Sequence, residues 1–141
     1  PYSNVNLSSG IAPIRKLIER NIPIGLGSDI SGGHIVSMAK VLTEAIGLSK
    51  MKWAEVDPNY APLTLSEAFY MATKGGGQFF GHVGSFEKGY ELDALIIDDT
   101  SLFDLNERSL EERLERWLYV GDDRHIIERY VAGRVVPSPK G

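Results

Sequence analysis

Six residues, Ile24-Gly25-Leu26-Gly27-Ser28-Asp29, carry a short apolar run up to a lone carboxylate. Ile30-Ser31-Gly32-Gly33-His34 follows at once, and then a helix-period stretch from Ile35 to Leu48. In a parallel α/β protein the carboxyl end of a strand opens onto the face where ligands bind. A carboxylate there costs solvation unless it meets a metal, a proton or a partner charge. Asp29 therefore has three readings: metal ligand, general base, or N-cap and loop residue. Ser28 lacks a surrounding G-x-S-x-G and reads as a hydrogen-bonding loop residue rather than a nucleophile. Gly25-Leu26-Gly27 is not a dinucleotide fingerprint, because the third glycine would fall at position 30, which is Ile30. Gly32-Gly33 before a helix either cradles an anion on backbone N–H groups or makes a tight turn needing positive φ, and spacing alone favours the turn.

The three histidines are His34, His82 and His125, with no H-x-H and no H-E-x-x-H among them. A closed zinc site built from this chain alone is not expected. His34 stands five residues after Asp29 and is a candidate for the same pocket. His82 follows Gly81 at a junction and reads as structural. His125 ends Gly121-Asp122-Asp123-Arg124-His125, which lacks calcium-loop spacing and reads as a solvated turn.

Composition narrows the chemistry further. The 141 residues suit one domain or two very small ones. With 15 basic against 19 acidic residues, the net charge is −4 and no basic stripe stands out, so nucleic acid is not an expected partner. There is no cysteine, which removes disulfides, thiol catalysis and the deaminases that hold zinc through P-C-x-x-C. No apolar run approaches membrane-spanning length, and the start, Pro1-Tyr2-Ser3-Asn4, has neither an initiator Met nor the form of a signal peptide. The expectation is a piece of a longer chain.

The elements that must position Asp29 can be read from periodicity. Ile11, Ile14, Leu17 and Ile18 share a helix face, with Pro13 suited to a first turn and Asn21 to a stop. Pro23 to Gly27 reads as a short strand buried on both faces. Ile35, Met38, Ala39, Leu42, Ala45 and Ile46 share the next helix face, and Lys52 to Leu63, with two prolines, reads as an ordered loop. Thr64-Leu65-Ser66-Glu67 and Ser109-Leu110-Glu111-Glu112 have capping-box spacing. The second precedes a stripe of Leu110, Leu114, Trp117 and Leu118. Gly75-Gly76-Gly77 breaks or reinitiates a helix. Beyond Val83 the pattern changes. Glu87-Lys88-Gly89 reads as a turn, and Leu92 to Ile97 is strand-like despite Asp93. Ile126 to Val131, Ala132-Gly133 and Arg134 to Val136 read as a hairpin, and the tail over 137–141 as frayed.

These segments together resemble the C-terminal portion of amidohydrolase-superfamily deaminases. Pro1-Tyr2-Ser3-Asn4, Leu7-Ser8-Ser9-Gly10 and Pro13 are similar to the family's segment after barrel strand seven. Gly25-Leu26-Gly27-Ser28-Asp29 resembles strand eight, where Ser28 usually appears as Thr. Leu63 to Ala68 with Met71-Ala72-Thr73 resembles the following helix. Val83 to Gly89 and Asp93 to Ile97 resemble the return into a small β domain. Tyr119 to Arg124, Tyr130 to Val136 and Ser31-Gly32-Gly33 are similar to the guanine-deaminating branch in particular.

The resemblance implies an α/β fold: the last part of a (β/α)8 barrel over residues 1–82, and part of a composite β-sandwich with one helix over 83–141. It implies one zinc ion held by an H-x-H pair, two later histidines and the strand-eight Asp. Of these, only Asp29 lies in this chain, as metal ligand and catalytic acid/base. Zinc lowers the pKa of water to about 7, and a positioned carboxylate adds roughly a hundredfold to ten-thousandfold by moving its proton. The implied activity is cytoplasmic hydrolysis of guanine to xanthine and ammonia in purine catabolism, with the isolated chain inactive. The implied partners are the purine, the remainder of the parent chain and other copies in a homo-oligomer, with no membrane. The rival readings are an adenosine-related or triazine-type deaminase, and a non-catalytic, self-associating module.

Overall fold

A computed structural model describes residues 1–102 and 104–137 of the chain. Two compact units divide it, Pro1–Gly76 and Gly77–Gly141.

The first unit is helical, with α1 (Tyr2–Asn6), α2 (Ile14–Glu19), α3 (Met38–Glu55) and α4 (Leu65–Ala72). A short turn of helix, α5 (Lys74–Gly77), reinitiates at the glycine triplet. The core of this unit is the face of α3 carrying Val41, Leu42, Ala45 and Ile46, with Ala68 and Met71 of α4 and the loop residues Tyr60 and Leu63. Burying each of the Val, Leu, Ile and Met side chains here stabilises by about 1.5–3 kcal/mol, before the opposing entropy. Ser49 is buried among them and satisfied twice: its Oγ donates to Ile46 C=O at 2.7 Å and accepts the Leu63 N–H at 2.9 Å.

Three boundaries differ from the sequence expectations. The helix expected over Ile35 to Leu48 starts at Met38 behind Ser37, and β-branched Ile35 and Val36 stay outside it. It then continues through Lys52–Glu55, expected as loop, because nothing in Lys52-Trp53-Ala54-Glu55 opposes a helix before Asp57-Pro58. Pro13 takes the N-cap position of α2 rather than its first turn. Asn21 does stop that helix, at φ 54°, and the N–H groups of Asn21 and Ile22 bond back to Ile18 and Leu17 carbonyls at 2.9 and 3.0 Å.

The strand expected at Pro23 to Gly27, buried on both faces, is extended but joins no ladder among the described residues, and Pro23, Gly25 and Gly27 are exposed with Ile24 and Leu26 half-buried. A parallel strand needs a neighbour along its edge. Here the segment leans backbone-to-backbone on the end of α4 and on α5. Leu26 N–H bonds to Met71 C=O at 3.0 Å, and a Cβ on Gly25 would stand 2.7 Å from Gly76 Cα. Gly25 is thus required by close approach.

Thr64 caps α4 as its spacing predicts. Thr64 Oγ1 accepts the Glu67 N–H at 3.2 Å, and Glu67 Oε2 accepts the Thr64 N–H at 2.9 Å. Arg15 adds a tie that reaches across the unit. Its guanidinium donates to both Glu67 oxygens at 2.6 and 2.8 Å and to the carbonyls of Ala61 and Pro62, and its own N–H donates to Tyr60 Oη at 3.0 Å.

The second unit holds a three-stranded antiparallel sheet, β1 (Ala94–Ile97), β2 (Ile126–Val131) and β3 (Arg134–Val135), in that order. Ala94 pairs with Tyr130 and Ile96 with Glu128, and a bulge follows between Ile96 and Ile97. Ala132 and Gly133 turn the hairpin at φ 47° and 74°, the hand that two-residue hairpins favour. Asp93, anomalous in its apolar run, caps that turn: its Oδ1 accepts the Ala132 N–H at 2.8 Å.

Helix α6 (Leu110–Val120) follows the capping box of Ser109 and Glu112. The expected stripe narrows at its start, where Leu110 is exposed, while Trp117 and Leu118 are buried. Among the described residues no helix is long and apolar enough to cross a membrane. The expected fraying of the tail falls, from residue 138 on, outside the described residues.

Candidate functional site

Asp29 stands at the end of the extended segment, in a turn closed by its own carbonyl. That oxygen accepts the N–H groups of Gly32 at 3.0 Å and Gly33 at 2.8 Å. Two consequences follow for the sequence readings. Asp29 is not an N-cap, since Ser37 opens α3. The glycine N–H groups are spent within the turn, so an anion cradle is not what they form.

Positive φ in this turn falls on Asp29 at 45° and Ser31 at 88°, not on the glycines. Asp tolerates the left-handed region better than most residues, and such strain concentrates at functional loops. The glycines are needed for space. A Cβ on Gly32 would meet Asp29 Oδ2 at 2.8 Å and Leu7 Cδ1 at 3.3 Å. One on Gly33 would meet Ser28 C=O at 3.3 Å and Ser3 N at 3.4 Å. The Asp29 carboxylate therefore folds over Gly32. It is exposed and makes no hydrogen bond or ion pair among the described residues.

Helix α1 fastens the same turn. Asn6 Nδ2 donates to Gly32 C=O at 2.7 Å. His34 sets its ring edge-on to Tyr2, with centroids 4.4 Å apart at 89°. Asn6 has no sequence signal, because its partner lies 26 residues away.

The other histidines lie in the second unit. His82 stacks on Tyr90 at 5.2 Å and its carbonyl accepts the Glu91 N–H, a structural role as expected. The expected solvated turn is a 3₁₀ turn, Asp123–His125, with Asp123 and Arg124 exposed, while the His125 side chain keeps only 10% of its surface in water. Gly121, which opens this segment, leaves room for the Trp117 indole, which any Cβ there would strike.

His125 lies on a surface cleft of about 470 Å³ with Ser101 and Asp122. Ser101 Oγ is 3.1 Å from His125 Nε2, and Asp122 Oδ1 is 3.3 Å from Nδ1. The trio has nucleophile–base–acid spacing. The Asp122 backbone N–H and C=O both stand 3.2 Å from Nδ1, so Asp122 brackets that nitrogen with a donor and an acceptor. Asp122 is also claimed by Arg124, whose guanidinium at 2.6 Å holds its carboxyl well below the usual carboxylate range.

The amidohydrolase family model matches residues 1–136. The guanine deaminase of Dictyostelium discoideum is 39% identical over 143 residues, which cover 96% of this chain and 32% of that protein. Two solved structures are similar in fold. One, guanine deaminase from C. acetobutylicum with guanine bound in its active site, matches at 54% identity and TM-score 0.91, over 96% of this chain and 32% of that one. The other, E. coli guanine deaminase, matches at 32% identity and TM-score 0.82, over 99% and 33%. The chain thus spans about a third of the length of the relatives it matches.

Proposed function

The chain belongs to the amidohydrolase family, and from that premise we propose that it is the C-terminal third of a zinc-dependent guanine deaminase in which Asp29 is metal ligand and acid/base. On this reading residues 1–82 finish a (β/α)8 barrel and 83–141 contribute to a composite β-sandwich. The partners are guanine, the rest of the parent chain and further copies of it, and the setting is cytoplasmic purine catabolism.

One observation carries the reading. A family member's chain ends its extended segment in an exposed carboxylate with no partner among the described residues, on a turn whose geometry is over-determined. A catalytic zinc site takes several protein ligands and leaves one position open for water. Among the described residues no group of three or more His, Cys, Asp or Glu side chains is placed to hold a metal. Asp29 fits a single oxygen-donor position, and the remaining donors must come from outside this chain. Zinc, when bound there, supplies activation of water near neutral pH.

The carboxylate then has two proton-transfer duties. It accepts a proton as the water oxygen bonds to the carbon bearing the amino group. It returns that proton to the nitrogen as the carbon–nitrogen bond breaks, so that guanine and water become xanthine and ammonia. The test is Asp29→Asn in the full-length parent. Asn keeps shape and tolerates left-handed φ but cannot take the proton. Turnover is expected to fall at least about a hundredfold with the fold retained. Near-parental turnover would refute the role.

A further inference from the structure

We propose that Asn6 is a positioning residue for Asp29, acting through the backbone of Gly32. This rests on Asp29 being the metal-binding carboxylate of the proposed deaminase.

Among the described residues three sets of hydrogen bonds fasten the turn. Asp29 C=O takes the two glycine N–H groups, Ser31 N–H bonds to Gly33 C=O at 3.1 Å, and Asn6 Nδ2 bonds to Gly32 C=O at 2.7 Å. The first two lie within the turn and move with it. Of these hydrogen bonds, Asn6's is the one that refers the turn to another element, α1, whose Ser3 is buried and whose Tyr2 also meets the His34 ring. Gly32 is also the residue whose Cα sits under the Asp29 carboxylate, within 2.8 Å of Oδ2 for any added Cβ. A shift of the Gly32 peptide is therefore a shift of the surface that the carboxylate rests on. Two non-glycine residues at positive φ mean the turn does not hold this shape unaided. Outer contacts that orient a metal ligand carry about 10- to 100-fold of affinity or activity when removed. The Asn6–Gly32 bond is exposed, so it contributes little to global stability.

The experiment uses the full-length parent enzyme and the variants Asn6→Asp, Asn6→Gln, Gly32→Ala and Asp29→Asn. Asp at position 6 keeps the shape but sets an oxygen against the Gly32 carbonyl. Turnover, zinc retention under chelator competition and thermal midpoint are measured for each.

Asn6→Asp is expected to lose about 10-fold or more in both kcat and zinc retention, with KM and the thermal midpoint held. Asn6→Gln, which keeps the donor, should recover part of both. Gly32→Ala should match or exceed the Asn6→Asp loss, and the double variant should add little, since both act on one turn. Parental kcat and zinc retention in Asn6→Asp, with Asp29→Asn inactive, overturns the positioning role and leaves the function standing. So does a kcat loss that merely follows the thermal midpoint downward. Near-parental turnover in Asp29→Asn overturns both.

Discussion

Replacing Glu67 by Gln removes one charge and leaves the side chain's shape nearly intact. Glu67 faces two demands, closing the α4 cap with Thr64 and receiving the Arg15 guanidinium on both oxygens. The Arg15 hydrogen bonds, helped by those from Thr64, bring its carboxyl down to about 2 from 4.5. At 1.36 kcal/mol per pH unit that gap converts to roughly 3 kcal/mol. The two side chains keep 15% and 32% of their surface in water. Screening there brings the net contribution to about 1–2 kcal/mol. A folded-state pKa below the unfolded one stabilises above the unfolded value, and the benefit fades as pH falls through the folded value. Urea unfolding of the chain and of Glu67→Gln should therefore differ by about 1–2 kcal/mol at pH 7. The gap should narrow from about pH 4.5 downward and close near pH 2. A gap absent at pH 7, or unchanged at pH 2, would refute the clamp as a source of stability.

Other outcomes follow from separate features. Gly25→Ala, forced against Gly76 Cα, should destabilise by about 1–3 kcal/mol in chemical denaturation; a neutral result would mean the two backbones separate freely. Ala132→Asn should recover roughly 1 kcal/mol or less of the left-handed penalty, read as a higher midpoint. The 141-residue chain by itself should release no ammonia from guanine above a blank; release that Asp29→Ala abolishes would contradict this. Sedimentation should show association across the micromolar range, because Phe79, Phe80 and Phe86 are largely exposed and the sheet has open edges. A compact, concentration-independent monomer would refute it.

What was legible in the sequence was local. Both capping boxes form because donor and acceptor lie three residues apart, and the Ala132-Gly133 hairpin forms because two residues dictate its turn. The position of Asp29 at the end of an extended run was legible as well. Its conformation was not. Gly32 and Gly33 advertise positive φ, yet Asp29 and Ser31 adopt it, and the glycines serve by lacking a Cβ. Ile24 to Gly27 has a strand's composition, but pairing is a property of neighbours. Asn6 with Gly32 and Arg15 with Glu67 lie 26 and 52 residues apart, beyond any spacing rule. Asp93 looked like an error in a strand until the hairpin brought Ala132 to it.

The three histidines also make the chain self-reporting. One lies in the first unit and two in the second, and each ring has a different neighbour: Tyr2 in a T-shaped contact, the face of Tyr90, and the polar groups of Asp122 and Ser101. Ring currents from the two tyrosines, and their absence at the hydrogen-bonded His125 ring, should give three separable imidazole resonances. Followed through a thermal ramp, the His34 signal reports the helical unit and those of His82 and His125 the sheet unit. Without any added label, the spectrum would then distinguish one cooperative melting event from two.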